Sequence, residues 1–158
     1  MKKTIQETNL GWEHVEVLIN RLVSQIRGSE VKFDLILSLN RGGLIPGTIL
    51  SHRLGIRHAV MSIESYSDKR RGSLRGGTCI SSSVYPKKKH LNVLIVDDIA
   101  DSGKSFLFAA KKLAKNRWSA IYYETAALHW KPKSTVRPIY VGEAIHNEVW
   151  VNYPWEKK

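Results

Sequence analysis

Val93-Leu94-Ile95-Val96-Asp97-Asp98-Ile99-Ala100-Asp101-Ser102-Gly103-Lys104-Ser105 decides the fold of this chain. Four branched apolar residues run into two carboxylates. A third carboxylate follows at Asp101, and a Ser-Gly-Lys-Ser turn leads into a helical run over 106–115. The apolar run reads as a strand buried on both faces. The turn leaves backbone N–H groups and two hydroxyls at a helix N-terminus, where an anion binds readily. Asp97 and Asp98 stand at the carboxyl end of the strand, the place where open α/β sheets hold their ligands.

This stretch offers a phosphate cradle beside carboxylates able to hold a divalent cation. It suits a substrate that carries both a phosphate and a Mg²⁺-bound diphosphate. A purely structural reading makes Asp97 and Asp101 caps of the following helix. A nucleotide-triphosphatase loop does not fit, because the first glycine of G-x-x-x-x-G-K-[ST] would fall at Asp98.

Outward from this stretch, strands and helices alternate. A helix is predicted from about 12 to 26, capped by Thr8 or Asn9, with Val15, Leu18, Ile19, Leu22 and Ile26 as its buried stripe. A strand over 33–39 leads into Asn40-Arg41-Gly42-Gly43, and a second helix runs from Leu44 to about Gly55. Glycines after a strand allow close backbone approach, and an arginine beside them can grip phosphate with two bonds. Further strands are expected over 58–63, 120–128 and 139–144, with a returning strand over 78–81. The intervening 64–77 stretch is polar, basic and glycine-bearing, and a loop of that length in a small domain is usually functional or disordered. The expected fold is a single α/β domain over 1–158, with a mostly parallel twisted sheet and helices on both faces.

Composition narrows the setting. A chain of 158 residues supports one domain with a real core. No apolar run is long enough for a membrane span, and the first residues have no apolar segment of the signal-peptide kind. The single cysteine, Cys79, cannot make an intrachain disulfide, so a reducing cytoplasm is expected. The formal charge of +11 is uneven. Between Tyr66 and His90 lie Lys69, Arg70, Arg71, Arg75, Lys87, Lys88 and Lys89 against Asp68 alone, a surplus that attracts polyanions. For Lys87 to Lys89 a solvated basic loop is the simpler reading.

Two late motifs complete the pattern, Trp130-Lys131-Pro132 and Val149-Trp150-Val151-Asn152-Tyr153-Pro154-Trp155-Glu156. A lysine donates only, so it favours a carbonyl oxygen over an amino group. A tryptophan offers a face on which a purine can stack. Trp150 as a core aromatic and Lys131 as a surface charge are the competing readings.

Together, the 93–105 stretch, the Arg-Gly-Gly-x-x-Pro-Gly loop from Arg41 and these late motifs resemble the type I phosphoribosyltransferases. Within them they resemble the 6-oxopurine branch that includes the bacterial xanthine-guanine enzymes. The resemblance implies Mg²⁺-dependent transfer of a 5-phosphoribosyl group from phosphoribosyl diphosphate to guanine, xanthine or hypoxanthine, as in purine salvage. It implies phosphoribosyl diphosphate contacts from Arg41, Gly42, Asp97, Asp98, Ala100, Asp101, Ser102, Gly103, Lys104 and Ser105. Asp98 would hold Mg²⁺, and Asp101 would be the proton acceptor for the base. Lys131 would face the 6-oxo group, Trp150 would stack on the base, and the backbone of Val151 would read its edge.

The resemblance further implies a cis Asn40–Arg41 peptide, a mobile 64–77 loop over the substrates, a base-binding segment over 129–156, and a homodimer or homotetramer. Departures from the pattern are Asn40 for serine, Ser102 and Ser105 for threonine, and Asn152 for an acidic residue. Regulators of this fold that bind nucleic acid, and relatives acting on a pyrimidine or another acceptor, are the alternatives. The Lys131–Trp150 pair argues against a regulator.

Overall fold

The computed structural model describes residues 6–65, 74–75, 88–115 and 120–156. The basic side chains from Lys69 to Arg71 and Lys87, together with Cys79 and the strand expected over 78–81, lie outside these residues. So does most of the 64–77 loop.

In chain order the elements are β1 (Gln6–Asn9), α1 (Trp12–Arg27), β2 (Leu35–Asn40), α2 (Leu44–Leu54), β3 (Arg57–Ser62), β4 (Glu64–Ser65), β5 (Leu74–Arg75), β6 (His90–Ala100), α3 (Lys104–Ala114), β7 (Ala120–Trp130), β8 (Tyr140–Ala144) and β9 (Val149–Asn152). Five strands form a parallel sheet in the order β3-β2-β6-β7-β8. β4 and β5 make a short antiparallel pair, and β1 pairs in parallel with β9.

The central strands bury both faces, as their continuous apolar runs require. On one face Ile36, Leu94, Val96, Ala126 and Leu128 pack beneath α1 and α2. On the other, Leu35, Leu37, Val93, Ile95 and Ala127 meet Phe106, Ala109 and Leu113 of α3. Helices therefore cover both faces. The α1 stripe consists of the expected five residues, with Val23 added. Helix α2 crosses β2 at Gly47, where a Cβ would stand 1.7 Å from Ser38 Oγ, so only glycine fits.

Several local expectations are corrected. Thr8 and Asn9 do not cap α1. They lie in β1, in register with Val151 and Asn152, and Gly11 precedes the helix without a side-chain cap. Phe33 precedes β2 and packs edge-on against Tyr140, at 6.1 Å between ring centres. Strand β6 does not stop at Val96. It carries Asp97 and Asp98 within it and continues to Ala100, since the sheet partners Ala127, His129 and Trp130 extend equally far. Strand β7 likewise runs two residues past the expected end at Leu128.

The chain passes from β2 outward to β3, and β6 enters on the other side of β2. The carboxyl ends of β2 and β6 thus flank the point where strand order reverses, which opens a crevice there. Residues 41–43 leave β2 at this crevice, and residues 101–103 leave β6.

Candidate functional site

Both walls of the crevice touch. A Cβ on Gly42 would stand 2.3 Å from Asp98 Oδ2, and one on Gly43 would stand 2.3 Å from the Val96 carbonyl oxygen. The glycines are needed so that the loop after β2 can lie against β6. The Asn40–Arg41 peptide is cis, as the resemblance implies, and Arg41 is exposed at the crevice mouth.

The turn after β6 is built by main chain. Gly103 has φ +79, and a Cβ there would meet Val136 N at 2.7 Å and Thr135 Oγ1 at 2.8 Å. The Thr135 hydroxyl and N–H both donate to the Ser102 carbonyl, at 2.8 and 3.2 Å. Helix α3 starts at Lys104, so the N–H groups of its first turn point out of its N-terminus, with Ser102 and Lys104 exposed and Ser105 half-buried beside them. Ala100 is buried, and its carbonyl accepts the Lys131 N–H at 3.1 Å, so it fastens the lysine segment to β6.

The carboxylates differ in their electrostatics. Burial, followed by the charge of Asp98, pushes the Asp97 carboxyl well above its ordinary range. Burial and the charge of Glu156 push Asp98 up to about 6. Two adjacent carboxyls held this way form an all-oxygen donor set that a hard cation would relieve, so the pair fits Mg²⁺. Asp101 moves the other way. Burial alone would raise it, but Lys131 Nζ at 2.8 Å and Lys133 Nζ at 2.9 Å hold it below its ordinary value.

Lys131 and Trp150 reverse the competing readings. Lys131 is 3% exposed, not a surface charge, and its ammonium is aimed at Asp101. Trp150 is 54% exposed, not a core aromatic. Its indole N–H donates to Asn152 Oδ1 at 3.0 Å, which gives a job to the asparagine standing in an acidic position. Strand β9 presents alternate residues. The Gln6 N–H donates to the Glu148 carbonyl and the Leu10 N–H to the Asn152 carbonyl. The parallel ladder therefore uses the main-chain groups of even-numbered residues, and those of Val151 point to the other edge.

Three contributors escaped the sequence reading. Lys133 shares Asp101 with Lys131. Thr135 braces the turn. The Tyr153 hydroxyl donates to the Asp98 carbonyl at 3.0 Å and meets His129 Nδ1 at 2.8 Å, which latches the segment after β9 to β6. Tyr153 lay inside a quoted motif, but nothing local marked its partner. Burial pushes His129 down to about 4.

The sequence matches the model of the phosphoribosyl transferase domain over residues 9–156. Among solved structures, a purine phosphoribosyltransferase from Pyrococcus horikoshii is 32% identical, with a TM-score of 0.80 over 96% of this chain and 95% of that one. A Neisseria gonorrhoeae protein solved with bound ppGpp is 25% identical, with a TM-score of 0.79 over 97% and 90%. The Helicobacter pylori xanthine-guanine-hypoxanthine phosphoribosyltransferase, at 22% identity and a TM-score of 0.80 over 96% and 94%, has the same fold.

Proposed function

The chain belongs to the phosphoribosyl transferase domain family, and from that premise we propose that it transfers the 5-phosphoribosyl group of phosphoribosyl diphosphate to a 6-oxopurine. The C1′–diphosphate oxygen bond breaks and a C1′–purine nitrogen bond forms. The products are a nucleoside 5′-monophosphate and diphosphate. The observation that carries this reading is the buried Lys131, whose ammonium lies 2.8 Å from Asp101 beside the phosphate turn. A donor-only group held next to a carboxylate suits a base with an oxo group and a ring N–H to lose.

In this reading the turn from Asp101 to Ser105 holds the ribose 5′-phosphate through the N–H groups and hydroxyls at the start of α3. Arg41 and the Gly42 main chain hold the diphosphate. Asp98, with Asp97 beside it, would hold Mg²⁺, which supplies charge neutralisation for the departing diphosphate. Lys131 turns from Asp101 to the 6-oxo oxygen when the base enters. That exchange leaves Asp101 with Lys133 alone, which makes its carboxylate a better acceptor for the imidazole-ring proton of the purine. Trp150 stacks on the base, and the Val151 main chain meets its edge. Water exclusion matters because the ribose passes through a cationic state that water would capture.

The experiment is product formation from phosphoribosyl diphosphate and Mg²⁺ with guanine, hypoxanthine, xanthine and adenine offered separately. Turnover of one or more 6-oxopurines with adenine inert is expected. Binding of phosphoribosyl diphosphate without turnover of any base would overturn the reading, and would favour a regulator or a different acceptor.

A further inference from the structure

We propose that His14, His129 and Glu143 form a second metal site, apart from the Asp97–Asp98 pair, which takes a borderline divalent cation of the zinc class through two imidazole nitrogens and one carboxylate oxygen. The three ligand atoms lie within 4.8 Å of one another. His14 Nε2 stands 3.1 Å from Glu143 Oε2, and His129 Nε2 stands 3.8 Å from the same oxygen. Zinc bonds of about 2.0–2.1 Å in a tetrahedron set ligand atoms roughly 3.3 Å apart, so the two distances to Glu143 lie either side of what a bound ion requires, and the exposed His14 can close on His129 by a side-chain rotation.

The orientation of His129 is the second, independent observation. The ring is 2% exposed. The single proton of the Tyr153 hydroxyl goes to the Asp98 carbonyl, at 3.0 Å, so this hydroxyl accepts from Nδ1–H, at 2.8 Å. Nε2 therefore carries the lone pair, and it faces Glu143 and His14. A hydrogen bond on the far ring nitrogen is the arrangement that fixes the tautomer and direction of metal-binding histidines. A simple ion pair between the half-exposed His14 and Glu143 would contribute little. It also leaves unexplained why a buried imidazole is turned toward the pair.

The three residues come from the first turn of α1, the end of β7 and the end of β8. They open onto a cleft of about 600 Å³ that Leu10, His146 and Val149 also line. A fourth coordination position therefore faces accessible space, as in three-ligand zinc sites that keep a water. This cleft shares Val151 with the proposed base site but not Lys131, Trp150 or Asp101. Two imidazoles select a zinc-class ion over Mg²⁺, which prefers oxygen ligands and keeps its waters.

The test is a titration of the full chain, stripped by a chelator, with Zn²⁺ alone by calorimetry, and with Co²⁺ as a spectroscopic probe. One equivalent of Zn²⁺ per chain is expected, undisturbed by excess Mg²⁺. Co²⁺ should give the intense visible bands of low coordination. His14→Ala and Glu143→Gln change half-exposed side chains, so the fold should survive, as circular dichroism will check. Each variant should weaken Zn²⁺ binding at least about tenfold and remove the Co²⁺ bands. Absence of stoichiometric binding, or binding unchanged in both variants, overturns the site. A loss confined to one variant overturns the three-ligand assignment.

Discussion

The end of the crevice proposed for phosphate is shaped mostly by main-chain geometry, while the end proposed for the base is shaped mostly by side chains. The turn from Asp101 to Ser105 is shaped by a left-handed glycine, hydrogen bonds from Thr135 and a helix start. The proposed base end depends on Lys131 and Trp150, whose exposures run against their chemistry, with the lysine buried and the tryptophan open. Local sequence marks the first kind of site, because a strand end, a glycine turn and a helix start are local events, even though Thr135 braces the turn from far along the chain. The second kind is set by contacts across the chain, so residue type alone does not reveal it.

The largest test of this contrast is Asp101→Asn. It keeps the shape and an acceptor for Lys131 but removes the charge that would take the proton. Turnover should fall about 10²- to 10⁴-fold, with a lowered melting temperature because the buried Lys131 ammonium loses its counter-charge. Steady-state kinetics alongside calorimetry will read both, and unchanged kcat would take Asp101 out of the proton transfer.

Next comes Gly103→Ala compared with Gly55→Ala. Both glycines are left-handed, but a Cβ at Gly55 meets nothing within 4 Å. Gly55→Ala should therefore cost only the backbone penalty of about 1–2 kcal/mol. Gly103→Ala should add a further 1–3 kcal/mol or so from crowding against Thr135 and Val136. Equal losses in chemical denaturation would mean that the turn is not held by packing.

Trp150→Ala addresses the base end. Because the ring is exposed, stability should hold within about 0.5 kcal/mol. KM for the base should rise by the equivalent of roughly 1–3 kcal/mol of stacking, with KM for phosphoribosyl diphosphate nearly constant. A rise shared equally by both substrates would remove the stacking role.

The smallest expected effect concerns His58, which lies outside both ends. Burial, then the charge of His52, lowers its pKa, and Ser38 Oγ lies 2.7 Å from its Nε2. The folded state therefore favours the neutral ring. Its contribution is complete above the unfolded value of about 6.5 and is lost as pH falls below it. His58→Gln should flatten the decline of melting temperature on the acid side of pH 6.5. A parallel decline in both proteins would exclude His58 as a source.

The parallel sheet, the three helices and the two loops at the crevice were legible because each rests on periodicity or on a short motif. Strand β1 was not. Its four residues, Gln6 to Asn9, are all exposed, so no alternation marks them, and Thr8 and Asn9 read more naturally as caps. What makes them a strand is a partner far along the chain. The extension of β6 through two acidic residues was hidden for a related reason, since isolated carboxylates argue against a buried strand until β7 is seen beside them. Lys133 and Tyr153 act on Asp101 and Asp98 through contacts that no spacing rule encodes.

The pairing of β1 with β9 has a consequence for biosynthesis. Asn9 and Asn152 meet across 143 positions, so β1 leaves the ribosome long before its partner β9. Long-range closure of this kind is slow relative to the local β-α units. The turn after β6 takes its braces from Thr135 and Val136, which are made before β9, so it can form while translation continues. The Trp150 end cannot, and on the proposed reading a nascent chain stalled before residue 149 would carry the shaped turn without the indole face for the base.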